Sequence, residues 1–115
     1  MVGRIQTTRM FSKSKVMAEE LFAVTKQRLT ELRARPFSDL AALPEVSEEV
    51  FTFRDKPASL CTYRVLLPDG RVRVFVTTSK RHLAGMVHSV NGDGFIVAPD
   101  GTLSEVTDEM RWEYL

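Results

Sequence analysis

The fold is decided by residues 58–78, which read ASLCTYRVLLPDGRVRVFVTT. The tripeptide Pro-Asp-Gly at 68–70 is typical of tight turns, and residues that favour strands lie on both sides of it. The segment after the turn alternates strictly, as a strand with two different faces does. We therefore predict an antiparallel hairpin here, with Leu67 paired with Arg71.

This register divides the hairpin into two faces, and both contain apolar residues. The first face, which would cover a helix, holds Leu60, Leu66, Val72, Val74 and Val76. The second face holds Cys61, Tyr63, Val65, Leu67 and Phe75, together with Arg71 and Arg73. On it Tyr63 lies directly opposite Phe75, a favourable cross-strand aromatic pair. A sheet that packs on one helix needs only one apolar face, so the second face calls for a cover.

Upstream of the hairpin, the sequence predicts one long helix over 14–35. At about 100° per residue, its apolar side chains fall on a single arc. Pro36 prevents its continuation. The arc contains Met17, Ala18, Leu21, Phe22, Val24, Leu29 and Leu32. We predict a loose N-terminal arm over 1–12 and a connector over 36–47, with one helical turn capped by Ser38.

Around and after the hairpin, short strand-like segments alternate with turn signals over 48–106. The predicted turns lie at 55–57, 91–94 and 99–101. For 107–115 we predict an edge strand or a short helix docked by Trp112. Short links favour antiparallel neighbours. The chain is thus predicted to be α+β, a long N-terminal helix on one face of an antiparallel meander of about five strands. This element order resembles the cystatin-like layout, in which a sheet wraps an N-terminal helix.

Length and composition predict one soluble domain over 1–115. Of the 115 residues, 43% are hydrophobic and 27% charged, which is close to the average for globular proteins. Cys61 is the single cysteine, so no intrachain disulfide forms. No signal-like N-terminus and no apolar run of membrane-spanning length occurs in the sequence. We therefore expect a cytoplasmic protein without a membrane partner.

The sequence nominates no catalytic, cofactor or metal site, and we lean against an enzyme. His82 and His88 are six residues apart and would be too distant on a strand to bind one metal ion. The segment 91–94 reads like the start of a calcium loop, but Thr102 stands where the bidentate glutamate belongs. Cys61 lies among core-like residues, which favours a small buried hydrophobe over a nucleophile. We expect no cofactor.

Three explanations compete for the second apolar face. It is covered by the C-terminal segment with Trp112 and Tyr114 as a lid, it is a homodimer interface, or it binds nucleic acid. We favour the homodimer, because aromatic residues and arginine are enriched at interfaces. Its predicted interface residues are Tyr63, Phe75, Arg71, Arg73 and Trp112. In the nucleic-acid alternative, bases would stack on Tyr63 and Phe75, while phosphates would be held by Arg64, Arg71, Arg73, Lys80 and Arg81. That alternative is disfavoured, because the chain has a net charge of only +1.

Arg28 falls inside the apolar arc of the predicted helix. A buried guanidinium must be paired. The favoured interpretation is that the side chain extends to solvent near the end of the helix. The alternative is a small-molecule site, a pocket between helix and sheet in which Arg28 binds an anionic ligand such as a carboxylate.

Charge is distributed in four alternating blocks that nearly cancel. The net charges are +5 for residues 1–35, −4 for 36–53, +5 for 54–82 and −5 for 83–115. The favoured interpretation is that folding brings opposite blocks together as weak surface pairs. The alternative is a molecule with one positive and one negative face, which would steer a charged partner.

Overall fold

The computed structural model describes residues 19–81 and 87–107, without the side chains of residues 81 and 87–90. Helix α1 covers 19–33 of the described chain. A short helix and five strands follow it. They are α2 (Phe37–Ala41), β1 (Val46–Phe53), β2 (Lys56–Leu66), β3 (Val72–Arg81), β4 (Val87–Val97) and β5 (Leu103–Glu105). The predicted arm over 1–12, the start of the predicted helix and the C-terminal segment from 108 lie outside the described residues.

The five strands form one antiparallel meander in the order β1-β2-β3-β4-β5. This confirms the α+β layout, a helix on a five-stranded antiparallel sheet. The hairpin register is also confirmed. Leu67 N–H donates to the Arg71 carbonyl at 2.8 Å, and Tyr63 pairs with Phe75.

Helix α1 packs on the face of the sheet that contains Leu60, Val74 and Val76. Its own contribution to this core is Leu29 and Leu32, which are almost fully buried. Strand β4 adds Phe95 and Val97 to the same cluster, and α2 adds Leu40. The apolar arc predicted from the helical period thus lies on the sheet, as far as the described residues extend. We call this side of the sheet the helix face, and the opposite side the outer face.

The connector differs from its prediction in its helical turn. Helix α2 begins after Pro36, which occupies the N-cap position and makes no side-chain cap bond. Ser38 therefore lies within the helix rather than at its cap. Proline suits this position because it has no N–H to leave unsatisfied and its φ, here −67°, is compatible with the start of a helix. Strand β1 then begins at Val46, two residues earlier than the predicted sheet.

The first hairpin turn is Arg54-Asp55 rather than 55–57. Both residues have positive φ, 51° and 63°. Two such residues make the tight turn whose twist matches that of paired strands. Lys56 and Pro57 therefore belong to β2, where they pair with Phe53 and Thr52. The proline is tolerated because the missing N–H faces away from β1 in this register.

The predicted turn at 91–94 is wrong, because these residues lie within the continuous strand β4. Asn91 pairs with Thr78, and Gly94 pairs with Phe75. The register shifts between Thr78 and Ser79, so an irregularity in the ladder replaces the predicted reversal. The predicted turn at 99–101 is confirmed, and Gly101 takes a φ of 91° there.

Candidate interaction surface

The outer face consists of the alternate side chains that point away from α1. From β1 to β4 its apolar and charged members are Val46, Glu48, Val50, Cys61, Tyr63, Val65, Arg73, Phe75 and Ile96. The hairpin register that places Val74 on the helix face necessarily places its neighbours Arg73 and Phe75 on the other. The second apolar face predicted from the sequence is thus present in the described chain.

Phe75, the centre of the predicted interface, is fully buried by the chain itself. Its ring packs with Ile96 and Val106, and the half-buried Tyr63 and Leu67 complete the cluster. Val106 follows β5 directly and is 5% exposed. The segment after β5 therefore returns over the outer face at this point. Trp112 and Tyr114, the other predicted elements of a lid or interface, lie outside the described residues.

The exposed part of the outer face lies at β1. Val46 and Val50 are 59% and 60% exposed, and Glu48 stands between them. Beside them a groove of about 410 Å³ opens at the start of β1, where β2 extends beyond its neighbour. Its lining combines apolar and charged side chains, from Glu45, Val46, Tyr63, Arg64, Val65 and Leu66. Small-molecule sites enclose most of their ligand, whereas this groove is open and only partly apolar. It is therefore better suited to contact with another protein than to binding a small molecule.

Cys61 lies in the middle of this surface, half-buried and with a free thiol. Its Sγ donates to Oε2 of Glu48 at 3.8 Å. Burial raises the pKa of the Cys61 thiol, and the negative charge of Glu48 raises it further, while hydrogen bonds with Tyr63 and Thr77 act in the opposite direction. Burial likewise raises the pKa of Tyr63. A thiol in this environment is a poor nucleophile at neutral pH, since the thiolate is the reactive form.

The basic residues predicted to hold phosphates are divided between the two faces. Arg73 lies on the outer face, whereas Arg64 and Lys80 follow the helix-face alternation of their strands. Arg64 Nε donates to the Leu43 carbonyl at 2.8 Å. Arg71 Nε contacts Oδ2 of Asp69 at 2.6 Å within the hairpin turn. The side chain of Arg81 lies outside the description. The described arginines and lysine thus do not form one basic face, and nucleic-acid binding remains an untested prediction.

Arg28 lies at the edge of the helix–sheet interface and is engaged by two carboxylates. Its Nη1 is 2.5 Å from Oε2 of Glu49 on β1, and its Nε is 3.4 Å from Oε2 of Glu31 on the helix. The side chain is 32% exposed. Glu49 already contacts the Arg28 guanidinium, so an anionic ligand at Arg28 would have to displace it. The small-molecule alternative remains a prediction.

A polar cluster within the helix–sheet interface was not predicted. Thr25 on α1 is fully buried and donates to Oδ1 of Asn91 at 2.6 Å, and its hydroxyl lies 3.3 Å from that of Thr78. The only sequence signal is a threonine at a core position of the helical arc. The cluster ties α1 to β3 and β4 in a fixed register, because buried hydroxyl and amide groups require partners.

Metal chemistry has no visible support among the residues that the structure describes. Within 19–81 and 87–107, no three histidine, cysteine or acidic side chains are grouped in a way that could hold an ion. His82 lies outside these ranges, and His88 is placed only by its backbone, opposite Lys80.

Comparisons with known proteins leave the chain without a family. No protein-family model matches it, and neither a curated protein nor a solved structure is significantly similar. Within the described ranges, no helix is both long and apolar enough to cross a lipid bilayer.

Proposed function

We propose that this protein is a small, non-enzymatic interaction module that forms a homodimer through the outer face of its sheet. The observation that carries the proposal is the exposed apolar pair Val46 and Val50 on a face whose other apolar side chains are buried or half-buried. Two aliphatic side chains about 60% exposed on one strand, beside an open groove, offer apolar area for a second copy to bury.

Charge on the same face supports a symmetric arrangement. The outer face has an acidic side chain, Glu48, on β1 and a basic one, Arg73, on β3. A two-fold interface brings the same patch of each copy together in opposite orientation. Glu48 of one copy would then face the basic strand of the other, which fixes orientation more than it adds affinity.

Because Phe75 is buried within the monomer, the proposed interface is better tested at the exposed residues of β1. Phe75→Asp would place a charge in a fully buried cluster and unfold the monomer. The pair Val46→Asp and Val50→Asp instead changes exposed side chains. Leu103→Asp is the matched control, because Leu103 is 47% exposed but lies on the helix face.

Sedimentation velocity and light scattering over a dilution series measure the outcome. We expect the native chain and the Leu103→Asp variant to form dimers at high micromolar concentration. The Val46→Asp/Val50→Asp variant should be a folded monomer with unchanged circular dichroism. A native chain that is monomeric throughout would contradict the proposal, and so would a dimer that persists in the doubly substituted variant.

We further propose that the protein is cytoplasmic. A single free thiol, Cys61, lies half-buried on the proposed interface. A reducing compartment keeps such a thiol from forming disulfides between copies. We likewise propose that the fold has the cystatin-like layout, in which the sheet curves around α1.

A further inference from the structure

Strand β1 is the longer and more regular of the two outer strands of the described sheet. It covers eight residues that all pair with β2 without a register shift, whereas β5 at the other edge has only three residues. No proline lies between Val46 and Phe53. Proteins often protect an edge with a proline, a bulge or a very short strand, because a long regular edge accepts one more strand. Over its described length, β1 has none of these three features.

The backbone of β1 directs every second N–H and C=O group away from β2. Among the described strands, only β2 pairs with β1. Arg64 N–H donates to the Glu45 carbonyl at 2.9 Å, which identifies a hydrogen-bonded pair of the ladder. Such pairs alternate in an antiparallel ladder, so the odd-numbered residues of β1 bond to β2. The backbone groups of Val46, Val50 and Thr52 therefore point towards the outside of the sheet.

The side chains along this edge are acidic and apolar. Glu48 lies between the exposed Val46 and Val50 on the outer face, and Glu49 follows it on the helix face. Residues 36–53 contain four acidic residues and no basic one. Cross-strand neighbours of opposite charge stabilise a pair of strands, whereas like charges directly opposite each other destabilise it. The complementary strand therefore has basic residues opposite the two glutamates and apolar residues opposite the valines.

We propose that the edge of β1 binds an extended, basic and apolar segment of another protein, which adds to the sheet antiparallel to β1. Antiparallel pairing is the more stable arrangement per residue. In strand addition, main-chain hydrogen bonds supply affinity and alternate side chains supply specificity. A second copy of β1 would instead bring two acidic strands together. This docking goes beyond the proposed dimer, which uses the outer face of the sheet and not its backbone edge.

The groove at the start of β1 extends this site. A strand antiparallel to β1 passes Val46 last, so the residues that follow reach the groove of about 410 Å³ beside it. The lining of the groove includes Glu45 and the apolar groups of Tyr63, Val65 and Leu66. The bound segment is therefore expected to continue with a basic residue opposite Glu45 and then a large apolar residue in the groove.

Synthetic peptides titrated into the full chain by calorimetry test the charge preference. The basic peptide is Thr-Val-Val-Lys-Lys-Thr-Val-Lys-Leu, designed so that its first residue lies opposite Thr52 and its seventh opposite Val46. An otherwise identical peptide with glutamate for each lysine should bind at least about tenfold more weakly. Glu48→Lys should weaken binding of the basic peptide by about fivefold and strengthen binding of the acidic one. Glu105→Lys makes the same change in charge at an exposed residue of β5 and should alter neither.

Amide hydrogen exchange and backbone methylation distinguish strand addition from charge attraction alone. With the basic peptide bound, the outward amides of Val50 and Thr52 should exchange at least about tenfold more slowly. The amides of Glu49 and Phe51 face β2 and serve as internal references. N-methylation of the third and seventh peptide residues, whose N–H groups would face β1, should abolish binding. The same methylation of the second and sixth residues, whose N–H groups would face away, should leave binding intact.

Equal binding of the basic and acidic peptides would overturn the proposal, and so would equal binding of the two methylated peptides. Outward amides that are already protected in the chain alone would also overturn it. Protection that persists at every dilution would show that the chain covers its own edge, and protection that is lost on dilution would assign the edge to a second copy.

Discussion

At the scale of single residues, Cys61 is the group whose chemistry the fold alters most clearly. Its Sγ contacts Glu48 across the non-hydrogen-bonded pair that joins β1 and β2, where side chains approach closely. Burial and the carboxylate both favour the neutral thiol and so raise the pKa of Cys61. Both causes thus favour the protonated and less nucleophilic form of the thiol.

Replacing Glu48 by glutamine should make this thiol more reactive. The change removes a negative charge but keeps the shape, so we expect the pKa of Cys61 to fall towards its ordinary value. Burial, the larger cause, remains, and the effect on the alkylation rate at pH 8 should be about two- to threefold. The rate of reaction with iodoacetamide as a function of pH measures it. Glu45→Gln, outside the contact, is the control, and an equal pH profile in both variants would refute the assignment.

Phe75 shows how far single residues could be predicted. The sequence correctly predicted its pairing with Tyr63, because the register follows from one local turn. It did not predict that Phe75 is fully buried. That burial depends on Val106, which lies thirty-one positions downstream. The local sequence pattern does not indicate where the segment after β5 will pack. Phe75, which was predicted to be the centre of an interface, is therefore part of the hydrophobic core of the monomer.

At the scale of elements, β4 overrides the local preference of its sequence. The residues at 91–94, Asn-Gly-Asp-Gly, favour a turn, yet they extend along β3. Pairing with the whole of β3 satisfies the backbone groups of both strands, which a local turn would leave without partners. The central hairpin could be predicted because its turn and its strands agree, whereas in β4 the turn signal and the tertiary pairing disagree.

Gly94 explains part of this disagreement, since a glycine is needed there for packing. A Cβ at this position would meet the Val74 carbonyl oxygen and lie 2.7 Å from Cδ2 of Phe75. The Phe75 side chain therefore lies against the bare backbone of β4. Gly94, which is typical of a turn in the sequence, instead provides the backbone surface on which the outer-face cluster packs.

We expect Gly94→Ala to destabilise the protein by about 2 kcal/mol or more, because the clash involves backbone on one side and a buried ring on the other. Gly101→Ala is the comparison. Gly101 has a φ of 91° with no neighbour within 4 Å, so only backbone strain opposes its side chain, a cost of about 1 kcal/mol. Chemical denaturation of the two variants measures the difference. Equal stabilities would show that Phe75 does not lie against Gly94.

At the scale of the whole molecule, two of the five described ion pairs join charge blocks of opposite sign. Arg28 of the first block contacts Glu49 of the second, and Arg33 contacts Glu105 of the fourth at 3.5 Å. These pairs connect α1 to β1 and β5, the two outer strands. The other three described pairs lie within one block or join the two positive blocks; they are Arg28–Glu31, Arg71–Asp69 and Arg54–Glu20. The favoured interpretation, in which opposite blocks meet as surface pairs, is thus supported only at the contacts of α1 with β1 and β5.

Such pairs should orient α1 while contributing little free energy. We expect a double-mutant cycle with Arg28→Gln and Glu49→Gln to give a coupling of about 0.2–1 kcal/mol, since both side chains are partly exposed. High salt should reduce it. Leu29→Ala, which opens a cavity at a residue 1% exposed, should instead cost about 2–5 kcal/mol at any salt concentration. A coupling well above 1 kcal/mol that salt leaves unchanged would contradict this ranking. It would make Arg28 a buried charge that needs its partner, and so restore the case for an anion site between helix and sheet.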